Sequence, residues 1–273
     1  MKKKRILITG VAGSIGSELA IQLYKDNKIF GIDINESGFF DIQQETGIFG
    51  RVGDIRDEKT IHDIFSDFKP QIIFHTAAYK HVSLMEKYPI EAIQTNIIGT
   101  YNLINEAKKW ECLEKFIFIS SDKAVQSCSI MGATKRMGEI MAKNQGKGFV
   151  VVRFGNVLGS RGSVIPIWQR QIDKGQPITV TDIQATRYFM TIEEACELVI
   201  KAAEIGKGGE IMILDMGEPI KIIDLAKKII QESHKDIPIE ITGLRPGEFL
   251  TEKLMFEEES QRAVKQGEFY IIK

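Results

Sequence analysis

The sequence predicts an α/β protein, a doubly wound parallel sheet of Rossmann type with a smaller C-terminal cap. Short β-branched runs alternate with longer helix-period stretches through the first half. Those runs are apolar on both faces, as strands buried between two helical layers must be. The first run also leads straight into a Gly-rich turn and a helix.

In chain order, strands are expected at 5–9, 29–33, 48–52, 72–76, 115–120 and 149–154. Helices are expected at 14–24, 60–68, 90–109 and 132–144; the first places Ile15, Leu19 and Leu23 at four-residue spacing. After Phe154 the texture changes to a Gly- and Ser-rich loop over 155–162, then helical patterns at 192–203 and 222–231 and one more strand at 210–215. Residues 1–154 therefore read as a dinucleotide domain. Residues 155–273 read mostly as a cap, with the strand near 210–215 returning to the sheet.

Balanced charge, 36 basic against 37 acidic residues and a net −1, argues against a nucleic-acid binder that relies on bulk charge. Cys112, Cys128 and Cys196 form no CxxC, and the four histidines (62, 75, 81, 234) show no zinc-ligand spacing, so reduced thiols and no metal are expected. The basic start Lys2-Lys3-Lys4-Arg5 precedes an apolar run too short for a signal peptide, and no window approaches the roughly 18 apolar residues of a membrane span. A cytoplasmic protein without membrane contact is the expectation.

Between the first strand and helix, glycines fall at 10, 13 and 16. Gly10 permits the tight turn, Gly13 lets a pyrophosphate approach the backbone, and Gly16 lets the helix pack on the strand. The helix then opens at Ser14-Ile15 with free N–H groups for phosphate. Asp33 ends the second strand, where a carboxylate accepts from both adenosine ribose hydroxyls and repels a 2′-phosphate. No Arg or Lys follows in Ile34-Asn35-Glu36-Ser37, so NAD is expected over NADP. Asp54, after the third strand, is a candidate contact for the adenine amine.

Further blocks resemble one branch of the extended short-chain dehydrogenase/reductases. They are His75-Thr76-Ala77-Ala78-Tyr79-Lys80-His81-Val82, Thr95-Asn96-Ile97-Ile98-Gly99-Thr100, Ser120-Ser121-Asp122-Lys123-Ala124-Val125 and Met131-Gly132-Ala133-Thr134-Lys135-Arg136. The stretch from Val152 to Ser163, Thr186-Arg187-Tyr188-Phe189-Met190-Thr191 and Leu244-Arg245-Pro246-Gly247-Glu248 complete the set. Over about residues 5–255 the chain is similar to the UDP-N-acetylglucosamine 4,6-dehydratases of polysaccharide biosynthesis. Large members carry a membrane-spanning N-terminal half, and this chain looks like a small soluble form. The resemblance implies a dinucleotide set of Gly10, Gly13, Ser14, Ile15, Gly16, Asp33, Asp54, Ile55, Ala77, Ala78 and Lys135.

The wider superfamily carries Tyr-x-x-x-Lys; here the spacing reads Met131-x-x-x-Lys135. The two share a helix face, and the lysine can hold the nicotinamide ribose, but a methionine cannot exchange a proton. In the branch resembled, this methionine goes with retained configuration at sugar C5. The resemblance assigns Lys123 as the C5 base and Asp122 as the acid for the C6 hydroxyl. That duty needs an amine below its reference value and a carboxyl above it. The C4 hydroxyl proton is left to Ser121 or to Asp122.

Lys80, His81, Asn156, Arg161, Arg187, Arg245 and Glu248 are the implied UDP-sugar contacts, since an Arg fork suits a diphosphate. Two departures from the family pattern stand out. Phe249 follows Arg-Pro-Gly-Glu where Lys is common, and Gln126-Ser127-Cys128-Ser129 replaces Asn-Pro-Thr-Asn. A 4-epimerase or 4-ketoreductase of the same fold, and a silent dinucleotide-binding regulator, are the alternatives. A homo-oligomer paired through helices beside the active helix is expected.

Overall fold

The computed structural model describes residues 1–273. Nine strands form one sheet: β1 (Arg5–Thr9), β2 (Lys28–Asp33), β3 (Phe49–Val52), β4 (Ile72–His75), β5 (Lys115–Ile119), β6 (Phe149–Arg153), β7 (Glu210–Leu214), β8 (Val264–Gln266) and β9 (Phe269–Ile272). Their order is β8-β9-β7-β6-β5-β4-β1-β2-β3. All pairings from β3 to β7 are parallel; β9 runs antiparallel to β7 and β8.

The helices are α1 (Ser14–Leu23), α2 (Glu36–Thr46), α3 (Glu58–Phe68), α4 (Val82–Lys87), α5 (Pro89–Ile93), α6 (Thr100–Ala107), α7 (Ile130–Lys143), α8 (Val164–Asp173), α9 (Ile192–Ile205), α10 (Ile222–Ser233) and α11 (Glu257–Ser260). Alternate residues of each central strand serve opposite cores. Ile6, Ile8, Val150 and Val152 pack with α1, α2 and α9, whereas Leu7 and Val151 pack with α3, α6 and α7. This is a Rossmann-type fold.

Chain order reverses between β1 and β4, which opens a crevice at their carboxyl ends. Beyond it, α8, α10 and the parallel pair Ile178–Val180 with Ile239–Ile241 enclose a small core around Trp168. Residues after 154 are thus divided between this cap and the sheet, because α9, β7, β8 and β9 all pack with the main layers.

Several expectations need correction. The strand expected at 48–52 is an edge rather than a buried strand, with Phe49 65% exposed, because nothing pairs on its outer side. The single helix expected over 90–109 is α5, a π-helical turn (Gln94–Gly99) and α6. Asn96 lies in that turn and is buried. Its carboxamide accepts from Tyr79 N at 2.8 Å and donates to Tyr79 O at 3.0 Å and Thr134 Oγ1 at 2.9 Å. Helices α2, α4 and α8 and the β8–β9 hairpin were not expected. Helix α2 carries Gly38 in its first turn and relies on Asn35, whose Oδ1 accepts from Gly38 N at 3.1 Å.

Candidate active site

The Gly-rich turn is built as its chemistry demands. Gly10 has φ +70°, and a Cβ there would lie 2.6 Å from Ala77 N. At Gly16 a Cβ would meet Gly10 O at 2.2 Å, so the first turn of α1 can pack on β1 only with glycine. Gly13, Ser14, Ile15 and Gly16 line a cleft of about 610 Å³ that crosses from this turn to the cap. Asp33, at the end of β2, accepts from Ala12 N at 2.9 Å and Asn35 N at 2.9 Å. Its carboxylate is thereby fixed beside the turn. These features fit a dinucleotide whose pyrophosphate lies over the N-terminus of α1.

Other members of the expected dinucleotide set fall differently. Ala78 lines the cleft, while Ala77 serves through its backbone against Gly10. Asp54 is taken up locally: Arg56 N donates to Oδ1 at 2.9 Å and Arg56 Nε to Oδ2 at 2.7 Å. Burial opposes ionisation, but the Arg56 hydrogen bonds and charge hold this carboxyl below its usual value. Ile55 is a core residue, packed under Gly99 of the π turn. Neither lines the cleft, nor do Gly10, Asp33 and Ala77, whereas Lys135 does.

The candidate catalytic residues follow β5. Its end delivers Ser120 and Ser121, then a single helical turn (Asp122–Ala124). Asp122 is fully buried. Its Oδ1 accepts from Ser121 Oγ at 2.8 Å and from Lys123 Nζ at 3.0 Å, while Oδ2 is buried without a partner. Lys123 Nζ also reaches Asn156 Oδ1 at 3.4 Å. A cleft-facing amine therefore sits on a buried carboxyl with one oxygen unengaged.

Helix α7 supplies the wall. Ser129 caps it by accepting from Gly132 N at 3.0 Å, so the departure from Asn-Pro-Thr-Asn keeps a competent N-cap. Met131 is buried against Met85 and Ala92 and also lines the cleft. One turn on, Lys135 donates from Nζ to Ile119 O at 2.5 Å and lies over the Phe118 ring. Burial lowers its ammonium to about 8, with Glu139 pulling the other way.

The cap residues divide into two groups. Arg187 donates to the carbonyls of Thr186, Leu250 and Phe249 and approaches Glu248 Oε1 at 3.3 Å, so it organises the 248–252 segment. Arg245 is exposed at the cleft, and its N–H donates to Glu248 Oε2 at 3.2 Å. Lys80, His81 and Asn156 also line the cleft. Arg161 departs from expectation. Its N–H donates to Ser14 Oγ at 3.0 Å and its guanidinium to Ala12 O, which straps the cap loop across the Gly-rich turn.

Sequence reasoning missed Glu252, a buried acid on the cleft near Lys123. Only its spacing four residues beyond Glu248 hinted at it. No helix is long and apolar enough to cross a membrane.

The chain is 46% identical to the capsular polysaccharide biosynthesis protein CapD of Staphylococcus aureus over 95% of its length, and it spans about half (46%) of that relative. It is 33% identical over 99% of its length to a UDP-N-acetylglucosamine 4,6-dehydratase (inverting) of Campylobacter jejuni, covering 83% of it. A UDP-glucose 4-epimerase of Rickettsia bellii matches at 33% over 98% of the chain and 82% of the relative. Among solved structures, Pen from Bacillus thuringiensis superposes with a TM-score of 0.93 at 37% identity, covering 99% of this chain and 88% of that one. The model of the family described as "Polysaccharide biosynthesis protein" matches residues 6–273, and the chain belongs to that family.

Proposed function

We propose that the chain catalyses the configuration-retaining 4,6-dehydration of UDP-N-acetylglucosamine, holding NAD between the Gly-rich turn, Asp33 and Lys135. The observation that carries this reading is the Asp122–Lys123 pair, 3.0 Å apart at the carboxyl end of β5, with Lys123 on the cleft that Met131 also lines. Epimerisation at C4 needs neither a C5 base nor a C6 acid, and this site holds a candidate for each.

NAD, when bound, supplies the acceptor and then the donor of the hydride exchanged with sugar C4 and C6. In this reading Asp122, which accepts from Ser121 Oγ at 2.8 Å and lies buried behind the cleft-lining Lys123, takes the C4 hydroxyl proton. A ketone at C4 acidifies C5, and the Lys123 amine takes that proton. The C6–O bond breaks, and the Asp122 carboxyl gives its proton to the departing oxygen, releasing water. Lys123 then returns its proton to C5 on the same face, which retains configuration. Lys135 fixes the nicotinamide ribose, and its positive charge favours removal of nearby protons. Arg245 and Glu248 hold the UDP moiety at the cap.

The second reading, a UDP-sugar 4-epimerase, is favoured by the Rickettsia relative. Incubation with UDP-N-acetylglucosamine and NAD separates the two by mass. The dehydratase yields a product lighter by one water, an epimerase yields one of unchanged mass, and no turnover refutes both. The expected homo-oligomer is proposed to pair through α5 to α7, where Ile90 (62%) and Tyr101 (50%) stand exposed.

A further inference from the structure

Three carboxyl or amide groups converge on the Lys123 amine, and one of them, Glu252, has no part in the steps above. Asp122 Oδ1 lies at 3.0 Å, Asn156 Oδ1 at 3.4 Å and Glu252 Oε1 at 4.0 Å. Glu252 is 4% exposed and lines the cleft. Its other charged neighbour, Arg187 Nε, stands at 3.9 Å, so both contacts exceed a hydrogen bond. A carboxyl removed from solvent without a hydrogen-bonded cation is costly, and such groups concentrate at working sites.

The segment that carries it is firmly held. Thr186 N donates to Leu250 O at 2.8 Å, the Thr186 and Thr251 hydroxyls are 3.0 Å apart, and Arg187 grips the carbonyls of Phe249 and Leu250. The carboxyl is thus aimed at Lys123 by the backbone rather than by its own bonds. Burial pushes it above the ordinary carboxylate range; Lys123 and Arg187 pull it down, and Asp122 and Glu248 add to the rise. The charged groups around Lys123 are therefore Asp122, Glu252 with Arg187 and Glu248 behind it, and Lys80 from the loop after β4.

We infer that Glu252 is a positioning residue for Lys123, holding the ammonium formed on capture of the C5 proton against loss of that proton to Asp122. The inference rests on the dehydratase reading. In the elimination, the C5–H bond breaks and its proton joins Lys123. The electron pair turns the C5–C6 single bond into a double bond, and the C6 oxygen leaves as water with the proton of Asp122. At that moment Lys123 is an ammonium 3.0 Å from a new carboxylate, the geometry in which a proton is most easily lost to the wrong partner. A second negative charge stabilises the ammonium until its proton goes back to C5.

The test is the pH profile of dehydration for the wild type, Glu252→Gln and Glu252→Asp, alongside NAD binding by fluorescence. Glu252→Gln is expected to keep NAD affinity, lose about tenfold in kcat and move the acid limb of the kcat profile down by about one pH unit, because Lys123 loses a stabilising charge. Glu252→Asp is expected to restore the limb, at least in part. A Glu252→Gln limb that coincides with the wild type, whatever the rate, overturns the inference and leaves the dehydratase reading intact. If Glu252→Gln does not fold, Glu252→Ala takes its place in the same profile: the same downward shift of the limb is expected, and a limb that coincides with the wild type overturns the inference. A wild type that releases no water refutes the dehydratase reading itself.

Discussion

Arg153 and Glu139 form a two-pronged ion pair inside the protein: Arg153 Nε and one terminal nitrogen each donate to a Glu139 oxygen at 2.8 Å, and neither side chain is exposed. The pair bolts α7 to β6. Glu259 of α11 completes the clasp, accepting from Arg153 at 2.7 Å, so the same guanidinium also anchors the C-terminal segment. Since Glu139 lies one turn from Lys135, the clasp sets the depth at which that lysine meets β5.

Arg153→Met is expected to lose about 3–5 kcal/mol of stability in urea unfolding, because two buried carboxylates lose their common partner. Burial opposes ionisation of Glu259, but the Arg153 hydrogen bonds and charge hold it below its usual value. A midpoint displaced by less than the equivalent of about 1 kcal/mol would show that the clasp is not what ties α7 to β6.

His75 gives the fold an acid-sensitive joint. It is fully buried between the hydroxyls of Thr9 at 2.7 Å and Thr100 at 2.8 Å, and burial, with the Lys135 charge, lowers it to about 3. Below its ordinary value of 6.5 the unfolded chain takes a proton that the folded chain refuses. Stability is therefore lost as pH falls from about 6.5 to about 3, at up to roughly 1.4 kcal/mol per pH unit. Urea midpoints measured across that window should fall less steeply for His75→Asn than for the wild type; parallel slopes would assign the sensitivity to other groups.

The Asp33 carboxylate is expected to set cofactor choice. Calorimetric titration should give at least about tenfold tighter binding of NAD than NADP, and Asp33→Ser should shrink that ratio by a similar factor. An unchanged ratio would place the discrimination elsewhere.

Arg161 is expected to govern dinucleotide exchange more than sugar binding. Arg161→Ala removes the strap on Ala12 while leaving the Gly-rich turn intact. Dissociation of the dinucleotide, followed by fluorescence, should quicken about tenfold, with KM for UDP-sugar changing less. The reverse pattern would return Arg161 to the diphosphate role that its sequence block implies.

The central sheet was legible because two-sided burial writes continuous apolar runs, as in Phe149–Arg153, and because glycine alone tolerates the contacts at positions 10 and 16. The edge strand Phe49–Val52 is open on its outer side and has only Phe39 against Gly50, so composition overstated its burial. The hairpin Val264–Gln266 with Phe269–Ile272 escaped because it is short and polar on one side, and its pairing with Glu210–Leu214 spans a long stretch of chain. In the site, Asp122 and Lys123 could be read because they are adjacent in sequence. Glu252 reaches Lys123 only through the folding-back of the 248–252 segment. Arg161 was placed by its block, and its strap across Ala12 depends on a loop path that no local pattern encodes.

The return of the chain to the sheet at Phe269–Ile272, beside Glu210–Leu214, means that residues 216–263 leave and re-enter the architecture at neighbouring rungs, where Asp215 N donates to Glu268 O at 2.9 Å. That excursion stays stitched to what it leaves: Ile239–Ile241 pairs with Ile178–Val180, and Glu259 reaches back to Arg153 at 2.7 Å, so a graft of the stretch from a cousin has to carry residues 164–180 with it or strand both partners.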